Sequence, residues 1–137
     1  MKYKLEPGNP RTKEANHIIF IVSKSLGLSI QTIKSTCRSR DLVDARRICY
    51  VLLKEKMNLS WGEIGSHFER DHASIIHNYN AHDALYKTYF DYRLKYDKAE
   101  GRLKNNEYIE NDMYEVITNL AIRLDHIEKL IKNYNKP

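Results

Sequence analysis

The chain has 137 residues and a formal net charge of +5, with 42% hydrophobic and 30% charged residues. That length holds one ordinary domain with an appendage, which argues against a multidomain enzyme, and the composition fits a folded chain with a charged surface rather than a disordered one. No run approaches the roughly 20 apolar residues of a membrane span, and the opening MKYKLEPGNPRTKE lacks the apolar stretch of a secretory signal, so no membrane partner and a cytoplasmic location are expected. The positive charge is uneven: residues 1–81 carry 13 Lys and Arg against 8 Asp and Glu, whereas residues 82–137 carry 10 of each. A basic front part points to a polyanionic partner, and a balanced, tyrosine-rich back part points to a different task.

Five glycines and three prolines leave long stretches without either, which predicts an all-α protein. Asn9-Pro10 opens the first helix, with Asn as the N-cap and Pro where its missing N–H is harmless; Ile18, Ile19, Val22 and Leu26 form its apolar face and Gly27 ends it. A short segment starts at Ser29, with Ile30 and Ile33 on its apolar side. Ser35–Arg40 is a polar, basic connector. From Asp41 a long amphipathic helix carries Val43, Ile48, Val51 and Leu52 inward and Arg46, Arg47 and Lys54 on a basic edge. Ser60 and Glu63 have the spacing of a capping box, so a helix starts at Trp61 and runs to Phe68. Asp71 caps a further helix beginning at His72, anchored by Ile75 and Ile76. Two helices joined by about three residues make a helix-turn-helix.

Beyond residue 82 the pattern changes. Leu85, Tyr89, Tyr92, Tyr96, Ala99 and Leu103 recur at alternating threes and fours, and Met113, Ile117, Leu120, Leu124, Ile127, Ile131 and Tyr134 resume the stripe after Asn105-Asn106. This is the seam of a coiled coil or of packed helices. A break at Asn105-Asn106 suits a two-helix hairpin, and the stripes suit either a homodimer or a protein partner. The expected organisation is a helix-turn-helix domain over 9–82 and a hairpin or coiled-coil extension over 83–137.

The segment LSWGEIGSHFERDHASIIHN resembles the carboxy-terminal DNA-binding domain of DnaA, the bacterial replication initiator. The matching residues are Ser60, Glu63, Ile64, Gly65, Phe68, Arg70, Asp71, His72, Ser74 and His77. Upstream, Arg38-Ser39-Arg40 and Asp44-Ala45-Arg46-Arg47 look like the family's basic loop and following helix, so the likeness covers residues 15–82. It implies binding to double-stranded DNA, with the residues at the start of the second helix reading the major groove of the initiator's box and Arg38 entering the adjacent minor groove. Arg46, Arg47, Lys54 and Ser74 fall on positions that hold phosphates, and Arg70 and Ala73 complete the DNA-binding set. Chemistry agrees at the helix start, where Asp71 can accept from cytosine N4 and His72 can donate to a base or a phosphate. Two departures stand out. Ala73 replaces the family's first threonine, and the turn is one residue short, with Glu69 in place of glycines.

Other chemistry is not signalled. Cys37 and Cys49 have no metal-ligand or disulfide spacing and read as small buried hydrophobes. His67, His72, His77 and His82 recur every five residues, a rotation that scatters them around a helix, so no metal site is expected. There is no GxxxxGK[ST] loop for an ATPase and no catalytic triad, so no catalytic residue, cofactor or enzyme activity is expected, only a binding module. The expected function is sequence-specific binding of double-stranded DNA in replication initiation control or transcription regulation. The alternative is a protein interaction module acting through the hairpin alone.

Overall fold

The computed structural model describes residues 5–134, with backbone alone over 106–119 and at 134. The helices follow the punctuation of the sequence. Helix α1 (Pro10–Leu26) starts where Asn9 Oδ1 accepts from the Arg11 amide at 2.9 Å and ends at Gly27, whose φ of 67° lets its amide reach the Ser23 carbonyl. Helix α2 (Ile30–Ile33) is a single turn capped by the Ser29 hydroxyl. Helix α3 (Arg40–Met57) stops at Asn58, also in the left-handed region. Helices α4 (Trp61–Phe68) and α5 (His72–Thr88) follow, and α6 (Phe90–Tyr134) completes an all-α chain with no strand among the described residues. No helix among these residues is long and apolar enough to cross a membrane.

A first packed unit ends at Leu103 and a second begins at Lys104. In the first, α3 is central and packs against α1, α2 and α5. Ala45, Ile48, Cys49, Leu52 and Leu53 of α3 are buried with Ile18, Ile19 and Val22 of α1 and Ile33 of α2. Helix α4 contributes Ile64 and Phe68 and α5 contributes Ile75, and the Phe68 ring meets Tyr50 edge-on at 4.9 Å. Each such side chain removed from water contributes about 1.5–3 kcal/mol of burial energy, so this cluster holds the front unit together.

The stripe of Tyr92, Tyr96, Ala99 and Leu103 belongs to this same core, since all four are buried. The chain folds back at Tyr89, whose extended backbone (φ −111°, ψ 115°) separates α5 from α6. His82 of α5 then packs on Tyr92 and Tyr96, and Tyr86 packs on Tyr96. Lys95 of α6 bridges to Asp41 and Asp44 of α3, each at 3.0 Å.

Several expectations are corrected here. Packing extends beyond residue 82, since the first unit runs to Leu103. The hairpin turn lies at Tyr89 instead of Asn105-Asn106, through which α6 continues, because asparagine lowers helix propensity only modestly and no proline intervenes. Tyr89 is therefore outside the stripe, and half-exposed. Cys49 is buried as expected, but Cys37 is exposed. Of the second stripe, Met113, Ile117 and Tyr134 lie outside the residues whose side chains are described.

Candidate nucleic-acid interface

Helices α4 and α5 with the turn Glu69-Arg70-Asp71 form the expected helix-turn-helix. The capping box at its start is complete: the Glu63 amide donates to Ser60 Oγ at 3.1 Å, and the Ser60 amide donates to Glu63 Oε1 at 3.3 Å. Arg11 adds a bidentate contact from α1, with Nε 2.7 Å from Glu63 Oε2, and this holds the Glu63 carboxyl below its usual range. Gly65 has a steric role. A Cβ there would sit 2.4 Å from the Arg70 carbonyl oxygen, while the Arg70 amide donates to the Gly65 carbonyl at 2.9 Å. The turn is thus pressed against a glycine. Glu69 makes the shortened turn possible by adopting φ 52°, a left-handed conformation that costs a non-glycine residue about 1 kcal/mol.

Asp71, His72 and Ala73 are exposed at the start of α5, and Ser74 is half-buried beside them. One Asp71 oxygen accepts from the Ser74 amide at 2.8 Å, the N-cap expected from sequence, and the carboxylate keeps a second oxygen for another donor. Four amides at a helix start and the positive end of the helix dipole suit this place to an anion.

Beside that helix start lies an open cleft of about 430 Å³ lined by Arg38, Arg46, Tyr50, Arg70, Ser74 and Asn78. Two of its arginines share one carbonyl. The Arg46 and Arg70 guanidinium groups both donate an Nη2 hydrogen to the Ser35 oxygen, Arg70 at 2.9 Å. Arg46 also donates Nε to the Ile33 carbonyl at 2.6 Å. Burial, and then the nearby Arg70 charge, push the Arg46 pKa down. Two cations converge here, and Arg70 Nη1 is buried, with the Tyr50 hydroxyl beside the Arg70 guanidinium. Arg38 is exposed at the rim.

The basic edge expected on α3 is corrected in its details. Arg46 and Arg47 are buried, at 5% and 9% exposure, because their partners lie inside the fold. Arg47 donates to the Asn78 carbonyl and Asn78 Oδ1, each at 3.1 Å, pairs with Asp44 at 3.2 Å, and lies over the Tyr92 ring. It locks α5 and α6 onto α3. Lys54 donates to the Leu59 carbonyl at 3.0 Å and sits 4.4 Å from the centre of the Trp61 ring, which in turn packs edge-on against Tyr79. Asn78, Tyr50 and the Ser35 carbonyl are the members of the site that sequence reasoning missed. Only the basic cluster nearby pointed towards them. The histidines scatter: His67 is buried, His72 and His77 are exposed, and His82 Nδ1 lies 2.7 Å from the Tyr92 hydroxyl. Among the described residues no cluster of His, Cys, Asp or Glu could hold a metal ion.

Comparison with known proteins agrees with this geometry. Residues 15–81 match the family model described as the bacterial dnaA protein helix-turn-helix. The chain is similar to the chromosomal replication initiator protein DnaA of Streptococcus equi subsp. zooepidemicus, 38% identical over 60 residues, which are 43% of this chain and 13% of that protein. The same protein from Thermodesulfovibrio yellowstonii is 40% identical over 57 residues, covering 41% of this chain and 13% of the relative. That of Streptococcus pyogenes is 29% identical over 84 residues, 61% of this chain and 19% of the relative. The chain therefore spans under a fifth of the length of these relatives.

Proposed function

Because residues 15–81 match the bacterial dnaA helix-turn-helix family, we propose that this chain is a sequence-specific reader of double-stranded DNA that acts by binding alone, in replication control or transcription regulation. The observation that carries the reading is the capped start of α5, where Asp71, His72 and Ala73 are exposed beside a cleft lined by Arg38, Arg70 and Ser74. The positive end of the helix dipole at this place suits a phosphate.

Roles follow from exposure. Asp71, His72 and Ala73 meet base edges in the major groove: Asp71 accepts from cytosine N4, His72 donates to a base acceptor, and the Ala73 methyl group meets a thymine methyl. Arg38, exposed at the rim of the cleft, enters the minor groove. Arg70 and Ser74 hold phosphates next to the α5 start, and Lys54 adds charge at the far end of α3. Arg46 and Arg47 act from within, fixing the basic loop and α5 in place. Two copies joined through their carboxy-terminal helices would present two such readers, suited to repression, to marking an origin, or to competing with the initiator for its boxes.

Selection of bound duplexes from a random-sequence library tests this. Enrichment of one short common sequence is expected. Recovery of a pool indistinguishable from the input would contradict sequence reading. The exposed apolar residues Leu120, Leu124, Ile127 and Ile131 favour the second reading, a protein-gripping extension, should DNA binding be absent.

A further inference from the structure

In the second unit the described part of α6 leaves Leu120, Leu124, Ile127 and Ile131 between 49% and 61% exposed. Their spacing of four, three and four puts them along one face of the helix, as the a and d positions of a coiled coil. Leu124 and Ile131 take the a positions and Leu120 and Ile127 the d positions. Arg123 then falls at g, and Glu128 at e of the following heptad, on the two rims of the apolar seam. On the outer face Asp125 and Lys129 pair with each other at 3.3 Å. Arg123 and Glu128 have no ion-pair partner among the described residues.

A rim with a cation at g and an anion five residues later at e is complementary to itself, and in one arrangement only. In a parallel, in-register pair the g residue of one chain meets the following e residue of the other, so Arg123 faces Glu128 twice. In a symmetric antiparallel pair g faces g and e faces e, so Arg123 never meets Glu128. Leu130, also exposed, sits at g beyond this pair and widens the apolar face.

We propose that α6 pairs through Leu120, Leu124, Ile127 and Ile131 with the same residues of a second copy of this chain, parallel and in register, with Arg123 of each chain facing Glu128 of the other. This rests on the two-copy part of the proposed function and adds its direction. Both chains enter such a coil from the Lys104 end, so both DNA-reading units are joined to the same end of it.

The test uses the full chain. Sedimentation equilibrium gives the mass. Arg123→Glu sets like charges across both rims and is expected to weaken pairing by roughly 3-fold to 10-fold, with Arg123→Glu/Glu128→Arg restoring it. Ile127→Cys, placed in a Cys37→Ser background, is expected to form an interchain disulfide on mild oxidation, because facing d residues adjoin only in the parallel register. A monomer overturns the proposal, as does a dimer that neither cross-links at 127 nor recovers in the double reversal. DNA binding measured on the same samples separates the two readings: a monomer that still selects a DNA sequence overturns the pairing and leaves the reader standing, while a cross-linked dimer without DNA binding does the reverse.

Discussion

Arg47→Ala separates a structural arginine from a phosphate-binding one. The side chain is 10% exposed and loses three hydrogen bonds, two to Asn78 and one to Asp44, together with its stacking on Tyr92. Breaking a buried ion pair costs about 3–5 kcal/mol when the partner charge is stranded. Here Lys95 stays 3.0 Å from Asp44, so the carboxylate is not stranded, and the expected loss is about 2–3 kcal/mol. For a unit of this size that lowers the melting midpoint by roughly 10–20 °C. Circular dichroism melting reads this directly, and fluorescence anisotropy at several salt concentrations, at a temperature where the variant is folded, reads the DNA contact. The account predicts a large fall in midpoint with the salt slope unchanged. An unchanged midpoint with a slope flatter by about one unit, the mark of a lost phosphate contact, would refute it.

Gly65→Ala drives a methyl group into the Arg70 carbonyl, and because backbone cannot swing away it should cost about 1–3 kcal/mol of stability and weaken DNA binding; urea titration showing no loss would disprove the close approach. Glu69→Gly relieves the left-handed backbone and should stabilise the fold by about 0.5–1 kcal/mol, unless the same titration shows a lower midpoint. Arg38→Ala and His72→Ala should each weaken binding to the selected sequence by about 1–3 kcal/mol while sparing random duplexes, and an equal loss on both would remove them from base reading. Burial pushes the pKa of His67 and His82 down, and Arg11 holds that of Glu63 down. All three take up protons more readily when unfolded, so their stability is present above about pH 6.5 and is lost as pH falls, the histidines first and Glu63 in the carboxylate range. A urea midpoint at pH 5 equal to or above that at pH 7.5 would contradict this sign.

What the sequence made legible is local. Asn9, Gly27, Ser60 with Glu63, and Asp71 act within four residues of themselves, so their caps follow from spacing alone, and the two helices of the reader follow from them. What it hid depends on residues far along the chain. Arg46 and Arg47 read as a basic edge, yet their partners lie 13 and 31 positions away, at Ile33 and Asn78. Heptad spacing is equally blind to the identity of the facing helix: Tyr92, Tyr96, Ala99 and Leu103 fill the core of their own unit, while Leu120 and Leu124, in the same kind of stripe, stay exposed. Glu69 was visible as a departure from the family's turn, but only backbone angles show that it takes the conformation a glycine would.

A fluorescence-anisotropy titration onto a duplex carrying the initiator's box and onto a scrambled duplex, each at two salt concentrations, tests sequence-specific recognition of double-stranded DNA. Binding that weakens with salt on both duplexes but stays tighter on the box at either concentration is the result predicted, with Asp71, His72 and Arg38 supplying the difference. No binding to either duplex would contradict DNA reading, and equal affinity for the two would contradict recognition of the initiator's box.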